Sequence, residues 1–364
     1  MKTVPEPNAE LLSAADVPGD VARLTAALKQ ARAEREGYHE FMIPKGTRFA
    51  CLALEGASLA NGLPEQLDLK DGLWALLRPP FEMAEHWQEW LGSIQARHFS
   101  NSNFLLFGTH PVDQMGVSDR ELRDKVMSLF YAILMHGVPH YDAALLLTGE
   151  NWSGTINVQS VTTPYRYYRA AKVLPARIDE NTLMSAAIAA AGLRTIYASK
   201  QDYRRLKKGF EAWTRGMREG VGIYRLHQFV RAIEAVVKPS TRQTRRRFVQ
   251  RCQLFAGRSD QIRNLLGELY DLRSYAEHMN DYQAVLGRYG PKWETIGSKR
   301  AYQAELLASH VYLRILKEDG LRSIFISDES IDQFWRKHDD ERVRVWGEAI
   351  DLETEVRARF LDFD

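Results

Sequence analysis

The stretch LYDLRSYAEHMNDY, Leu269 to Tyr282, places Arg273 and His278 five positions apart. An arginine fork matches two oxygens of a phosphate, and an imidazole exchanges protons near neutral pH, so the two residue types suit work on a phosphodiester. Five residues of helix correspond to about 500° of rotation, which leaves the two side chains about 140° apart around the axis and about 7.5 Å apart along it. They do not form a stacked pair. They can meet one phosphate only where the end of the helix borders a groove, and a second copy across a two-fold axis would double the groups facing it. The plain alternative is a charged rim, since Arg and His share many helices without any chemistry.

A second candidate lies just upstream. KPSTRQTRRRFVQR, residues 238–251, gathers Arg242, Arg245, Arg246, Arg247 and Arg251, with Phe248 on the adjoining turn. Cations at the start of a helix oppose its dipole, so the cluster reads either as a set of phosphate contacts or as solvated surface charge. Residues 194–263 carry 18 Lys/Arg against 5 Asp/Glu, whereas the whole chain nets only +2, so the rest of the molecule is acidic. A basic segment in an acidic frame reads either as the footprint of an anionic partner, nucleic acid above all, or as a solvated helical surface whose charges are matched by acids elsewhere in the fold.

Other chemistries find little support. HGVPHYD offers His136, His140 and Asp142, but Pro139 prevents a helix from presenting both histidines on one face, and no metal site is expected. LEGASLANGLPEQL lacks the spacing and the Lys-Ser/Thr ending of a phosphate-cradling loop, and no nucleophile elbow or cofactor motif is present. Trp87, Trp90, Trp213, Trp293, Trp335 and Trp346 sit among apolar neighbours, as core residues do.

The elements that must position these residues divide the chain of 364, of which 45% is hydrophobic, into two textures. Residues 1–36 suit a loose terminus and a short surface helix. Over 37–175, short apolar or alternating runs bounded by Gly, Pro, Asn and Asp read as strands: TRFACLALEGASL, DGLWALLRPP, NFLLFGTH, YDAALLLTG and TINVQSVTT. Two helices interrupt them, EMAEHWQEWLGSIQARH and SDRELRDKVMSLFYAILMHG, the latter opening on Ser118 and Glu121 as a capping box and stopping at Gly137. LPARIDENT forms the joint, and residues 180–364 read as helix throughout, with apolar positions recurring at three and four. The expected class is α+β, a mixed α/β domain followed by a helical bundle. In the helix IRNLLGELYDLRSYAEH, residues 262–278, Ile262, Leu265, Leu266, Leu269, Leu272 and Ala276 form the inward stripe. Cys51 and Cys252 lie too far apart in sequence to suggest a disulfide framework, which favours a reducing compartment such as the cytoplasm, and no apolar run is long enough to span a membrane.

Residues 222–280 resemble the HEPN (higher eukaryotes and prokaryotes nucleotide-binding) family, its Apea-like branch most of all. The likeness rests on Ile233, Glu234 and Ala235 in one helix, and on Leu269, Tyr270, Leu272, Arg273, Ser274 and His278 in another, with Glu277 beside the histidine. It implies a bundle of four or five helices that dimerises, with the Arg and His of both copies lining a shared cleft. It further implies a metal-independent endoribonuclease, without cofactor, that serves stress or phage defence. In that branch His278 would move the proton of the ribose 2′-hydroxyl, Arg273 would hold the scissile phosphate, and Tyr270, Ser274 and Glu277 would support the motif. Other family members bind RNA, nucleotides or partners without cutting. Ser274 stands where active members commonly carry Asn, Asp or His, and Met279 where a glycine is common.

Overall fold

The computed structural model describes residues 42–111, 120–151, 154–239, 242–278 and 283–361. The helix expected within residues 1–36, the Ser118 half of the capping box and Met279 lie outside them. The class is α+β, an antiparallel sheet followed by a helical region.

Six strands form the sheet: β1 (Thr47–Glu55), β2 (Gln66–Asp68), β3 (Leu73–Leu76), β4 (Ser102–Pro111), β5 (Ala143–Asn151) and β6 (Ile156–Thr162). Their order is β2-β3-β4-β1-β5-β6, and every pairing is antiparallel. β1 lies between β4 and β5 and is buried along almost its whole length, which explains why TRFACLALE is a nearly unbroken apolar run. Alternate residues point to opposite faces. Phe49, Cys51, Ala53, Leu105 and Phe107 meet Phe81 and Phe99 on one side. Ala50, Leu52, Leu54, Phe104 and Leu106 meet Val126, Phe130 and Ile133 on the other. The first side is covered by α1 (Glu85–Leu91) and α2 (Ser93–Ser100), the second by α3 (Arg120–His136). The stretch read as one helix at 82–98 is therefore two, because Gly92 adopts φ 80°, outside helical geometry, and ends the first while starting the second.

The helical half comprises α4 (Glu180–Ala198), α5 (Arg204–Arg218), α6 (Gly222–Val237), α7 (Thr244–Ala256), α8 (Asp260–Glu277), the short α9 (Gln283–Leu286), a 3-10 turn (Gly287–Lys292), α10 (Trp293–Lys317), α11 (Asp319–Ile324), α12 (Asp328–Arg336), α13 (Asp339–Trp346) and α14 (Leu352–Arg359). Side-chain caps start two of the key helices: Asp179 accepts from the Thr182 N–H at 2.7 Å, and Ser259 accepts from the Ile262 N–H at 3.1 Å. α10 runs against α3, α4 and α6. Its Glu305 receives Arg225 of α6 at 2.7 Å, with the arginine side chain only 1% exposed.

One apolar core runs from the sheet through α3 into the bundle, including Leu52, Phe104, Ile133, Leu193, Trp213, Phe229 and Tyr312. The joint at 174–180 is pinned on both sides, with Ala176 N–H donating to Val138 O at 3.0 Å and Ile178 N–H to Ser58 O at 2.9 Å. Near the far end of the described chain, Val173 bridges to Phe360, which returns α14 to the same joint.

Candidate functional site

Leu265, Leu266, Leu269 and Leu272 bury one face of α8, and this fixes the rotation of Arg273. The arginine leans toward α6. Its Nη2 lies 3.1 Å from Glu234 Oε2, and its Nη1 meets Glu277 one turn further along α8. Arg273 and Glu234 are 17% and 15% exposed, so the pair is largely shielded from water. Burial pushes the Glu234 carboxyl above its usual range, and the Arg273 cation opposes the shift without cancelling it. His278 follows at the end of the helix with φ −91° and ψ 9°, exposed, its backbone N–H donating to Ser274 O at 3.2 Å. Tyr270 packs on Phe248 of α7 with ring centroids 5.4 Å apart. The expected pair thus occupies one helix end, with the arginine braced and the histidine open.

Sequence reasoning missed a third group. His227 Nδ1–H donates to the Arg273 carbonyl at 3.3 Å, which leaves Nε2 as an acceptor. Burial lowers its pKa, the hydrogen bond to the Arg273 carbonyl opposes the shift, and the charges of Arg273 and Arg231 add to it. His227, Arg231 and Glu234 stand at i, i+4 and i+7 of α6, one helical face, and that periodicity was the available signal. What it could not give is that this face meets α8.

The arginine stretch divides three ways. Arg245 lays its fork on Asp271 of α8 at 2.7 and 2.8 Å. Arg251 turns inward, donating to Val237 O at 2.5 Å and Lys238 O at 2.7 Å, with its Cζ 4.9 Å from the Trp335 ring centroid. Arg242 also has a partner. Arg246 and Arg247 are exposed and line a cleft of about 280 Å³ between α7, α12 and α13. Arg258 and Arg342 join them there, each held by Asp339, at 2.5 and 2.6 Å respectively. Arg258 follows Arg251 by seven residues, whereas Arg342 comes from distant sequence and only folding adds it to the set. The Arg245–Asp271 and Phe248–Tyr270 contacts bring the start of α7 beside the end of α8, so Arg245 belongs to the same end of the helix hairpin as Arg273 and His278. Arg246 and Arg247 face away from α8, around the other side of α7.

His136 is half-buried in its turn, and burial lowers its pKa to about 4. His140 pairs with Asp142 at 3.2 Å on the surface. Among the described residues no three His, Cys, Asp or Glu side chains converge as a metal site would need, and no helix is long and apolar enough to cross a membrane. No protein-family model, no curated protein and no solved structure matches the chain.

Proposed function

We propose that the chain is a metal-independent endoribonuclease of HEPN type, acting as a homodimer through its helical half. The observation that carries the reading is a phosphate-matching arginine, braced by Glu234 and Glu277, five residues before an exposed histidine at a helix end. Bracing fixes the guanidinium in advance, so only the Nη hydrogens that the two carboxylates leave free meet a bound phosphate already oriented. His278 removes the proton of the ribose 2′-hydroxyl, and the resulting oxygen attacks the adjacent phosphorus. The bond to the 5′-oxygen breaks, that oxygen takes a proton from water, and the hydroxide so formed recovers the proton held by His278. The products are a 2′,3′-cyclic phosphate and a 5′-hydroxyl, and DNA lacks the attacking group. Arg246 and Arg247, exposed around the other side of α7, hold further phosphates where the strand wraps past that helix. Cys51 and Cys252, both free and buried, fit a reducing compartment such as the cytoplasm.

A second reading is a helical module that binds RNA without cutting it. It is favoured by the same ion pairs, because two carboxylates offset the charge of Arg273 and a phosphate must compete with them. The test is end-labelled RNA incubated with purified protein in EDTA, beside His278→Ala. The nuclease reading expects cyclic-phosphate ends that vanish in the variant. Intact RNA with salt-sensitive binding would sink it in favour of the binding module.

A further inference from the structure

A cleft of about 1260 Å³ opens where the segment after β6 passes α3, α4 and α5, and its lining shares no residue with either site above. Its walls are aromatic: Tyr131 from α3, Tyr165 after β6, Tyr197 from α4 and Phe210 from α5. Tyr165 is 67% exposed and Tyr197 46% exposed, whereas rings that serve only as core are covered. The segment is fixed to the bundle, since Tyr168 N–H donates to Met217 O at 2.8 Å.

Cations line the same space. Arg123, Arg215 and Arg218 pair with no carboxylate among the described residues, although Arg194 is held by Asp71 and Arg120 lies 3.7 Å from Asp124. Glu121 and Glu211 also reach the cleft, so its balance is positive but not uniformly so. Arg218 lies with its Cζ 4.0 Å from the Tyr165 ring centroid and donates from Nη2 to the Tyr131 hydroxyl at 3.3 Å. Its Nε is buried without an acceptor among the described residues. A guanidinium held by its face against a ring keeps its in-plane N–H groups for an anion.

Exposed rings on facing elements and arginines that pair with no carboxylate among the described residues form the two halves of one recognition problem, a flat heterocycle bearing a phosphate. We propose that this cleft binds a free nucleotide, its base against Tyr165 and Tyr197 and its phosphate among Arg123, Arg215 and Arg218. The site is separate from the RNA-cleaving reading and stands or falls without it.

Equilibrium dialysis of the full chain against the four ribonucleoside 5′-monophosphates and triphosphates tests the assignment, with a ten-residue oligoribonucleotide in a parallel arm. Tyr165→Ala and Arg215→Ala alter exposed side chains, and unchanged melting temperatures will show that the fold survives. Saturable binding of at least one nucleotide is expected, weakened about tenfold or more in each variant, as loss of a stacking platform or a phosphate contact does. His278→Ala should bind it unchanged. No saturable binding of any nucleotide, binding indifferent to both substitutions, or binding of the oligoribonucleotide alone would each overturn the proposal.

Discussion

Arg273 offsets the charge of Glu234 as well as facing the helix end, so its removal disturbs the fold along with any chemistry. In Arg273→Ala the largely shielded Glu234 keeps its burial and loses its nearest cation, which should destabilise the protein by about 1–3 kcal/mol. The sign of the pH dependence follows. Glu234 already titrates above its usual range in the folded state, and losing the cation raises it further, so the folded form gains a proton more readily than the unfolded form. The penalty of Arg273→Ala should therefore shrink as pH falls from 7.5 to 5. His278→Ala removes an exposed side chain and should change stability by no more than about 0.5 kcal/mol. Urea denaturation of both variants at the two pH values checks this, and a penalty for Arg273→Ala that grows on acidification contradicts the assignment. In activity assays, His278→Ala is accordingly the cleaner probe.

Among the elements, α5, α6 and α10 meet around Arg225, whose guanidinium reaches Glu305 at 2.7 Å and Gly216 O at 3.1 Å. Gly209 of α5 lies so near Tyr312 and Ala235 that an added Cβ would collide with both. Glu305→Ala would leave the arginine charged and buried, costing about 3–5 kcal/mol, whereas the double change Arg225→Met with Glu305→Leu should recover most of the loss. Denaturation midpoints of the single and double variants decide it, and a double variant no better than the single one would show that the arginine's carbonyl contacts dominate. The same packing marks what the sequence could and could not reveal. β1, β4 and β5 were legible because buried strands are written as local apolar runs, and α8 because its stripe and Ser259 cap are local too. β2 was not, since three residues exist as a strand only by pairing with β3. Within the segment 180–364 that read as helix throughout, α12 and α13 are separate, because Lys337 takes an extended ψ of 156° that its residue type does not announce. Within the site, Arg273 and His278 were visible as spacing, while Glu234 and His227 reach Arg273 only through the docking of α6 on α8.

For the molecule as a whole, the shared core couples the sheet to the bundle, so two poorly hydrated histidines on either side of it act on one unfolding equilibrium. His136 ends α3 and His310 lies in α10, and each has its pKa lowered from 6.5 to about 4, by burial first and by neighbouring cations second: Lys317 and Arg359 for His136, Arg314 for His310. Neither Nε2 has a hydrogen-bond partner among the described residues. The unfolded chain binds these protons near pH 6.5 and the folded chain only near 4, so between those values the unfolded state holds more protons. Stability must then rise with pH through that window and be lost on acidification within it. Carboxylates held below their ordinary values, such as Glu55, Asp332 and Asp339, act lower still, beneath their reference values of 4.5 and 3.8. Thermal melting from pH 7.5 to 5 should therefore show one cooperative transition whose midpoint falls with pH. In His310→Phe, which keeps a ring beside Trp346 but removes the Nε2 that has no hydrogen-bond partner among the described residues, the fall should be shallower. A slope unchanged by that substitution would assign the acid sensitivity to other groups, and two separated transitions would mean that the core does not couple the halves as its continuity requires.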